Sequence, residues 1–295
     1  MKLLVTGGSG QLVQSLIARA GDGIKIHRAM RPDFDMAQPE TLAAMIDRIA
    51  PDALVNAAAY TAVDAAEQAV ADAFAVNATA PGVIAQIAAV RSLPLVHIST
   101  DYVFNGQTGA PYREDSPTAP PNVYGASKLA GEQAVQAAGD DHLILRTAWV
   151  YSPFGKNFLL TMLRLAETRD AIDVVADQVG NPTSALDLAD GVFAALAVRL
   201  DSGRFPVSLA HFAGTGSTTW CDFARHIMAS SAAAGGPDAT IRAIDTAAYP
   251  TPAARPADSR LDCTLFARIF GHAPPPWQSS ATAVVQHYLG GQRAA

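Results

Sequence analysis

The sequence predicts an α/β protein: a Rossmann-type, doubly wound parallel sheet with a smaller C-terminal lobe. Three observations carry this expectation. Short apolar runs alternate with helix-period segments through the first half of the chain. A glycine-rich turn, Thr6-Gly7-Gly8-Ser9-Gly10, falls between the first apolar run and the first helical period. After about residue 150 the alternation loses its regularity, so two unequal units are expected, over 1–150 and 151–295. Some segments of the second are expected to return to the first.

Taken in order, residues 2–6 (Lys-Leu-Leu-Val-Thr) read as a buried strand. Residues 11–20 read as a helix with Leu12, Leu16 and Ile17 on one face. A strand fits 24–28, and a helix fits 39–49, where Pro39 sits at an early position that needs no N–H. A strand at 53–57 precedes one long helical stretch over 66–90, followed by a strand at 94–99. Residues 105–122 are rich in Gly, Pro, Asn and Asp and form a long loop of the kind that is often functional. A helix over 123–138 and a strand over 142–147 complete the regular part. Beyond it, 172–175 and 207–212 are strand-like, 184–200 and 218–232 are helical, and Pro250, Pro252 and Pro256 keep 249–260 extended.

Composition narrows the class. Of 295 residues, 49% are hydrophobic and 16% charged, which supplies a large core and argues against disorder. The net charge of −6 and the lack of a basic run argue against a nucleic-acid partner. Cys221 and Cys263 make no disulfide framework, so a reducing compartment is the simpler reading. The first apolar run is only Leu3–Val5, and no uninterrupted apolar run approaches the roughly 20 residues that span a bilayer. The expectation is a soluble, cytoplasmic protein with no membrane partner. The seven histidines do not fall at metal-ligand spacing, and no metal is expected.

The glycine turn is the first chemical signal. Gly7 and Gly10 let the backbone turn tightly, and the helix beginning at Gln11 and Leu12 directs its free N–H groups at a phosphate. A third glycine would fall at position 13, where Val13 stands. Valine there should push the helix outward or require a small neighbour. A glycine-rich turn without any ligand remains the alternative. At the end of the second strand an acid would hold a ribose hydroxyl, but the sequence reads Ile26-His27-Arg28. Arg28 is suited to a 2′-phosphate, which favours NADPH with NADH possible; alone, it is equally an ordinary solvated arginine.

The second signal is Tyr124-Gly-Ala-Ser-Lys128. Residues four apart share a helix face, and a nearby ammonium should lower the phenol's pKa from its usual value of about 10. The pair then makes a general acid for a carbonyl oxygen. A strand-end hydroxyl within Ser99-Thr100-Asp101 can hold that oxygen beside the tyrosine, because ligands of open α/β sheets bind beyond the carboxyl ends of the strands. Glycine turn, strand-end hydroxyl and Tyr-x-x-x-Lys together are far more specific than any one alone.

These residues resemble the extended short-chain dehydrogenase/reductases. Within them, the chain is similar nearly end to end to the dTDP-4-dehydrorhamnose reductase family. The resemblance rests on Gly10-Gln-Leu12, Val55–Asp64, Ser99–Gly106, Tyr124–Glu132, Arg146–Tyr151, Asp177–Thr183, His211–Gly214 and Arg255–Leu261. It implies hydride transfer from NAD(P)H to C4 of a dTDP-linked 4-keto-6-deoxyhexose, in the nucleotide-sugar chemistry of cell-envelope polysaccharides. It also implies roles: Tyr124 as proton donor, Lys128 as its activator, and Thr100 as the hydroxyl on the substrate. Thr100 and Asp101 would contact the sugar and Trp149 would pack on it. Ala59, Tyr60 and Thr61 would line the cofactor, with Asp35 and Met36 at its adenine end. Some family members carry an acid in the first helix that supports a metal-bridged dimer; here 14–17 reads Gln-Ser-Leu-Ile, so that dimer is not expected, and a monomer or homodimer is left open. Two rivals remain. One is another nucleotide-sugar reductase, epimerase or dehydratase, although a dehydratase would place Asp-Glu where Asp101-Tyr102 stands. The other is a dinucleotide-binding regulatory subunit without turnover, which would lack the tyrosine or the lysine.

Overall fold

The computed structural model describes residues 1–293. The first half runs β1 (Lys2–Thr6), α1 (Gln11–Arg19), β2 (Lys25–Ala29), α2 (Leu42–Ile49), β3 (Ala53–Asn56), α3 (Val63–Ala66), α4 (Val70–Phe74), α5 (Ala80–Val90), β4 (Leu95–Thr100), α6 (Val123–Ala138) and β5 (His142–Thr147). The second half runs β6 (Val150–Tyr151), α7 (Phe158–Ala166), β7 (Ala171–Val175), β8 (Val179–Gly180), β9 (Thr183–Ser184), α8 (Ala185–Ser202) and β10 (Leu209–His211). It ends with β11 (Thr218–Thr219), α9 (Trp220–Ala233), β12 (Thr240–Ile244), α10 (Thr264–Phe270) and α11 (Trp277–Arg293).

Six strands form one parallel sheet in the order β10-β5-β4-β3-β1-β2. Leu3 and Val5 of β1 enter one core with α1 and α8, while Leu4 enters another with α2 and α5. That is why β1 is apolar at consecutive positions: both faces are covered by helices. The chain order reverses between β1 and β3. A crevice at the carboxyl ends of the strands is expected at such a reversal.

A separate core draws on residues after 150, where Leu159 and Leu163 of α7, Phe223 and Ile227 of α9 and Val285 of α11 pack together beside the parallel β7–β12 pair. In contrast, β10 pairs with β5, and Leu188 and Val192 of α8 and Phe266 of α10 join the core around α1.

Several local expectations need correction. The stretch 66–90 is not one helix: α3 ends at Ala66, and a π-helical turn at Ala75–Thr79 separates α4 from α5. Pro81 has no N–H to donate to the Asn77 carbonyl four residues back, so the hydrogen-bond register slips there. The stretch Val70–Val90 is also long and apolar enough to cross a membrane by length and composition, with a mean hydropathy of 1.5; half of it is buried within the protein. On α1 the buried face is Leu12, Val13 and Leu16, whereas Ile17 is 45% exposed. Helices α7, α10 and α11 and strand β12 were not legible in the pattern. In α11, Gly290, Gly291 and several polar residues blur the helical period.

Candidate active site

The glycine turn follows β1 directly. Gly7 has φ of +110°, a conformation that side chains resist, and its N–H is held by Ala29 O at 2.8 Å. Val13, where a third glycine would fall, is buried in the core around α1. A Cβ built on Gly7 would lie 3.3 Å from Val13 Cγ2, so glycine at 7 is the small neighbour that valine requires. Helix α1 starts at Gly10 with no side-chain cap and no acid in its first turn. Its N–H groups are therefore free for an anion. Gln11 ties this turn to the C-terminal lobe: Nε2 donates to Val150 O, and Oε1 accepts from Ser152 and Asn157.

Helix α6 brings the tyrosine and lysine to the strand ends. Asn122 caps it by accepting from Gly125 N, Glu67 accepts from Val123 N, and Asn122 Nδ2 donates to Ala254 O. The glycine inside Tyr124-Gly-Ala-Ser-Lys128 has a packing reason. A Cβ on Gly125 would stand 2.1 Å from Tyr102 O, so only glycine lets α6 approach the turn after β4. Gly131 serves the same purpose against Asn77 O. Asn77, in the π turn, clasps Tyr60 through both its N–H and its carbonyl and donates to Ser127 of α6.

At the end of β4, Thr100 Oγ1 donates to Asp101 Oδ1 at 3.0 Å and accepts from Tyr102 N at 3.2 Å. The Tyr124 phenol lies beside the same hydroxyl in the cleft wall. Burial pushes Tyr124 up to about 12, against the lowering effect of Thr100. The expectation that Lys128 would lower the phenol is therefore reversed in this state. The Lys128 ammonium donates to Ile98 O at 2.7 Å, and burial lowers it to about 8 although Glu132 opposes the shift. Burial also raises Asp101 to about 6.

Behind this row lies a second polar group. Arg146 forms a bidentate pair with Glu132 at 2.8 and 2.6 Å, and Ser99 donates to the same carboxylate at 2.5 Å. All three side chains are buried. The Arg146 guanidinium also stacks over Phe104 and reaches the His211 ring.

A cleft of about 770 Å³ opens at the reversal of the sheet. Gly7, Gly10, Gln11, Leu12, Ala59, Thr61, Thr100, Asp101, Tyr124, Lys128 and Trp149 all line it. A second cavity of about 780 Å³ shares Tyr102 and Trp220 with the first and carries Arg169, Arg242 and Arg255. Other expected residues stand off the cleft. Tyr60 is held by Asn77, Asp35 is paired with Arg31 at 2.5 Å, and Met36 packs on the core around α2. Arg28 lies beside the glycine turn, its Nη1 donating to Gly8 O at 3.3 Å.

Sequence reasoning missed Trp220. Its ring stacks on Trp149 at 3.5 Å, nearly parallel, and both line the cleft. Trp149 has φ of +46°, and a Cβ on Gly180 would collide with its ring at 2.4 Å. A lone tryptophan after a capping threonine gives no sequence signal for such a stack.

A cleft built this way belongs to an NAD(P)H-dependent oxidoreductase on a Rossmann-type sheet. The chain belongs to the family of the RmlD substrate binding domain, whose profile matches residues 1–289. It is 44% identical over 286 residues to a dTDP-4-dehydrorhamnose reductase of Sinorhizobium fredii NGR234, covering 97% of each chain. It is 41% identical over 265 residues to a probable dTDP-4,6-dihydroxy-2-methyloxan-3-one 4-ketoreductase of Streptomyces antibioticus, covering 88% of this chain and 86% of that one. Among solved structures, the dTDP-4-dehydrorhamnose reductase of Bacillus anthracis in complex with NADP superposes with a TM-score of 0.87 at 31% identity, covering 96% of this chain and 98% of that one.

Proposed function

We propose that this protein reduces the C4 carbonyl of dTDP-4-dehydro-β-L-rhamnose to dTDP-L-rhamnose, with NADPH as hydride source and Tyr124 as proton donor. The observation that carries the reading is the meeting of Thr100, Tyr124 and Lys128 in a cleft that also contains the glycine turn. The residues fit a dinucleotide: the uncapped start of α1 suits a pyrophosphate, and Arg28 stands beside the turn for a 2′-phosphate. Bound there, a reduced nicotinamide supplies the hydride.

The chain's own groups handle the oxygen. Burial keeps Tyr124 a neutral phenol, so its proton is present when charge develops on the substrate oxygen. Thr100 holds that oxygen. The Lys128 ammonium, close by on the same helix face, stabilises the phenolate left behind. Trp149 and Trp220 form an apolar wall for the sugar, and the second cavity, with its arginines, receives the nucleotide diphosphate. The N-terminal unit thus holds the cofactor and the C-terminal lobe the substrate.

The Streptomyces antibioticus relative favours one second reading, reduction of a different dTDP-linked ketosugar. Incubating the protein with NADPH and each ketosugar, while following nicotinamide absorbance, separates the two. Faster turnover of the rhamnose precursor is expected. No oxidation of NADPH with either sugar, despite bound cofactor, would exclude both.

A further inference from the structure

The hydroxyl of Thr100 has one proton and two lone pairs. In this structure the proton and one lone pair are committed. The proton goes to Asp101 Oδ1, and one lone pair accepts from Tyr102 N. Nothing is left to donate to a substrate carbonyl oxygen. Asp101 itself is oddly placed for a carboxylate. It is 3% exposed, and its Oδ2 is buried without a well-aligned hydrogen bond, with the Ser259 hydroxyl beside the carboxyl.

Resting on the proposed reduction, we infer that Asp101 is a positioning residue for Thr100: once protonated, it donates to Thr100 Oγ1 and so turns the proton of Thr100 onto the substrate oxygen. The inventory then closes. Thr100 accepts from Tyr102 N and from the Asp101 carboxyl, and donates to the substrate. Tyr124 donates to the same oxygen. One proton is taken from solvent by Asp101 when substrate binds, and no bond to carbon is involved.

The surroundings favour this switch. The groups facing the carboxyl are Thr100 of β4, Tyr124 of α6, the Tyr102 phenol on its own turn and Ser259 of the C-terminal segment; beyond Tyr102 lies the Asp64–Arg255 ion pair. None of the groups in contact is a cation. Burial is the largest influence and raises Asp101 to about 6, so protonation is accessible near neutrality.

The test is the pH dependence of kcat/KM, which reports groups of the free enzyme. For the wild type it should fall about tenfold per pH unit above about 6. Asp101→Asn carries an N–H that can donate to Thr100 at every pH. Its decline should begin only near 8, where Lys128 loses its proton. An unchanged break near 6 in the variant would overturn the inference, as would a KM defect of equal size at every pH, which marks a direct sugar contact alone. Asp101→Ala, which removes the acceptor that holds the Thr100 proton, should likewise lose the break near 6. Independently of turnover, ¹³C NMR of carboxyl-labelled aspartates, assigned by the Asn variant, should show Asp101 titrating well above the ordinary value of about 3.9. An ordinary midpoint would refute the proton arrangement. A wild type that binds NADPH, shows the raised titration and turns over no ketosugar would instead count against the reductase reading.

Discussion

Ser99 and Thr100 are neighbours on one strand, yet their surroundings differ in kind. Ser99 belongs to a closed polar network in which Glu132 receives three hydrogen bonds and Arg146 is gripped by two of them. Thr100 belongs to an open one, where Asp101 keeps an oxygen without a well-aligned partner and three acid–base groups are displaced by burial. The closed network joins α6 to β4 and β5 and holds the helix that carries Tyr124 and Lys128. The open network faces the cleft. Buried polar groups that are fully satisfied make scaffold, whereas those left poised between states can exchange protons with a substrate.

The sharpest break of this comparison is a pair of substitutions, one on each side. Tyr124→Phe removes only a hydroxyl from the open site, and turnover should drop by about 10²–10⁴-fold. Stopped-flow measurement should show this with NADPH binding retained. Glu132→Ala should act the opposite way. It leaves the Arg146 guanidinium buried and unpaired, at a cost of about 3–5 kcal/mol in stability by denaturant unfolding. Replacing both partners of that pair by apolar residues of similar volume should recover most of the loss.

A smaller effect separates the networks by pH. His211, beside Arg146, is buried in the neutral form with its pKa lowered to about 3, first by burial and then by Arg146. The unfolded chain binds a proton below about 6.5 that the native protein refuses. Stability is therefore present above that pH and is lost as pH falls toward 3. Between pH 7 and pH 5 the loss should be about 2 kcal/mol in urea titrations, and His211→Gln should flatten it. Asp101 has the opposite sign, since its raised carboxyl gains stability as pH falls from about 6 toward 4. The smallest effect is expected at the solvent-exposed Arg28. Arg28→Ala should weaken NADPH binding about tenfold, with little change for NADH. An equal loss for both would dissociate Arg28 from the 2′-phosphate.

Much of this was legible in the sequence because it depends on local period and turn chemistry. The strands through β5 could be read from apolar runs, and the turn at Gly7–Gly10 from its position between strand and helix. Tyr124 and Lys128 could be paired from their four-residue spacing. Other features depend on distant neighbours. Trp220 meets Trp149 only when the start of α9 is brought to the cleft, and Gly180 is required by the ring of Trp149. The glycine at 125 reads as ordinary helix sequence until α6 lies against Tyr102.

The sequence by itself determined the sheet, the glycine turn and the pairing of Tyr124 with Lys128, because spacing along a regular element dictates which side chains share a face, whereas Thr100 was singled out by the family resemblance. Only the tertiary structure decided the state of those residues. The phenol is raised rather than lowered, because burial outweighs the neighbouring Thr100, while the Lys128 ammonium is bonded to Ile98 O. Desolvation depends on everything that surrounds a group, and no local pattern records it.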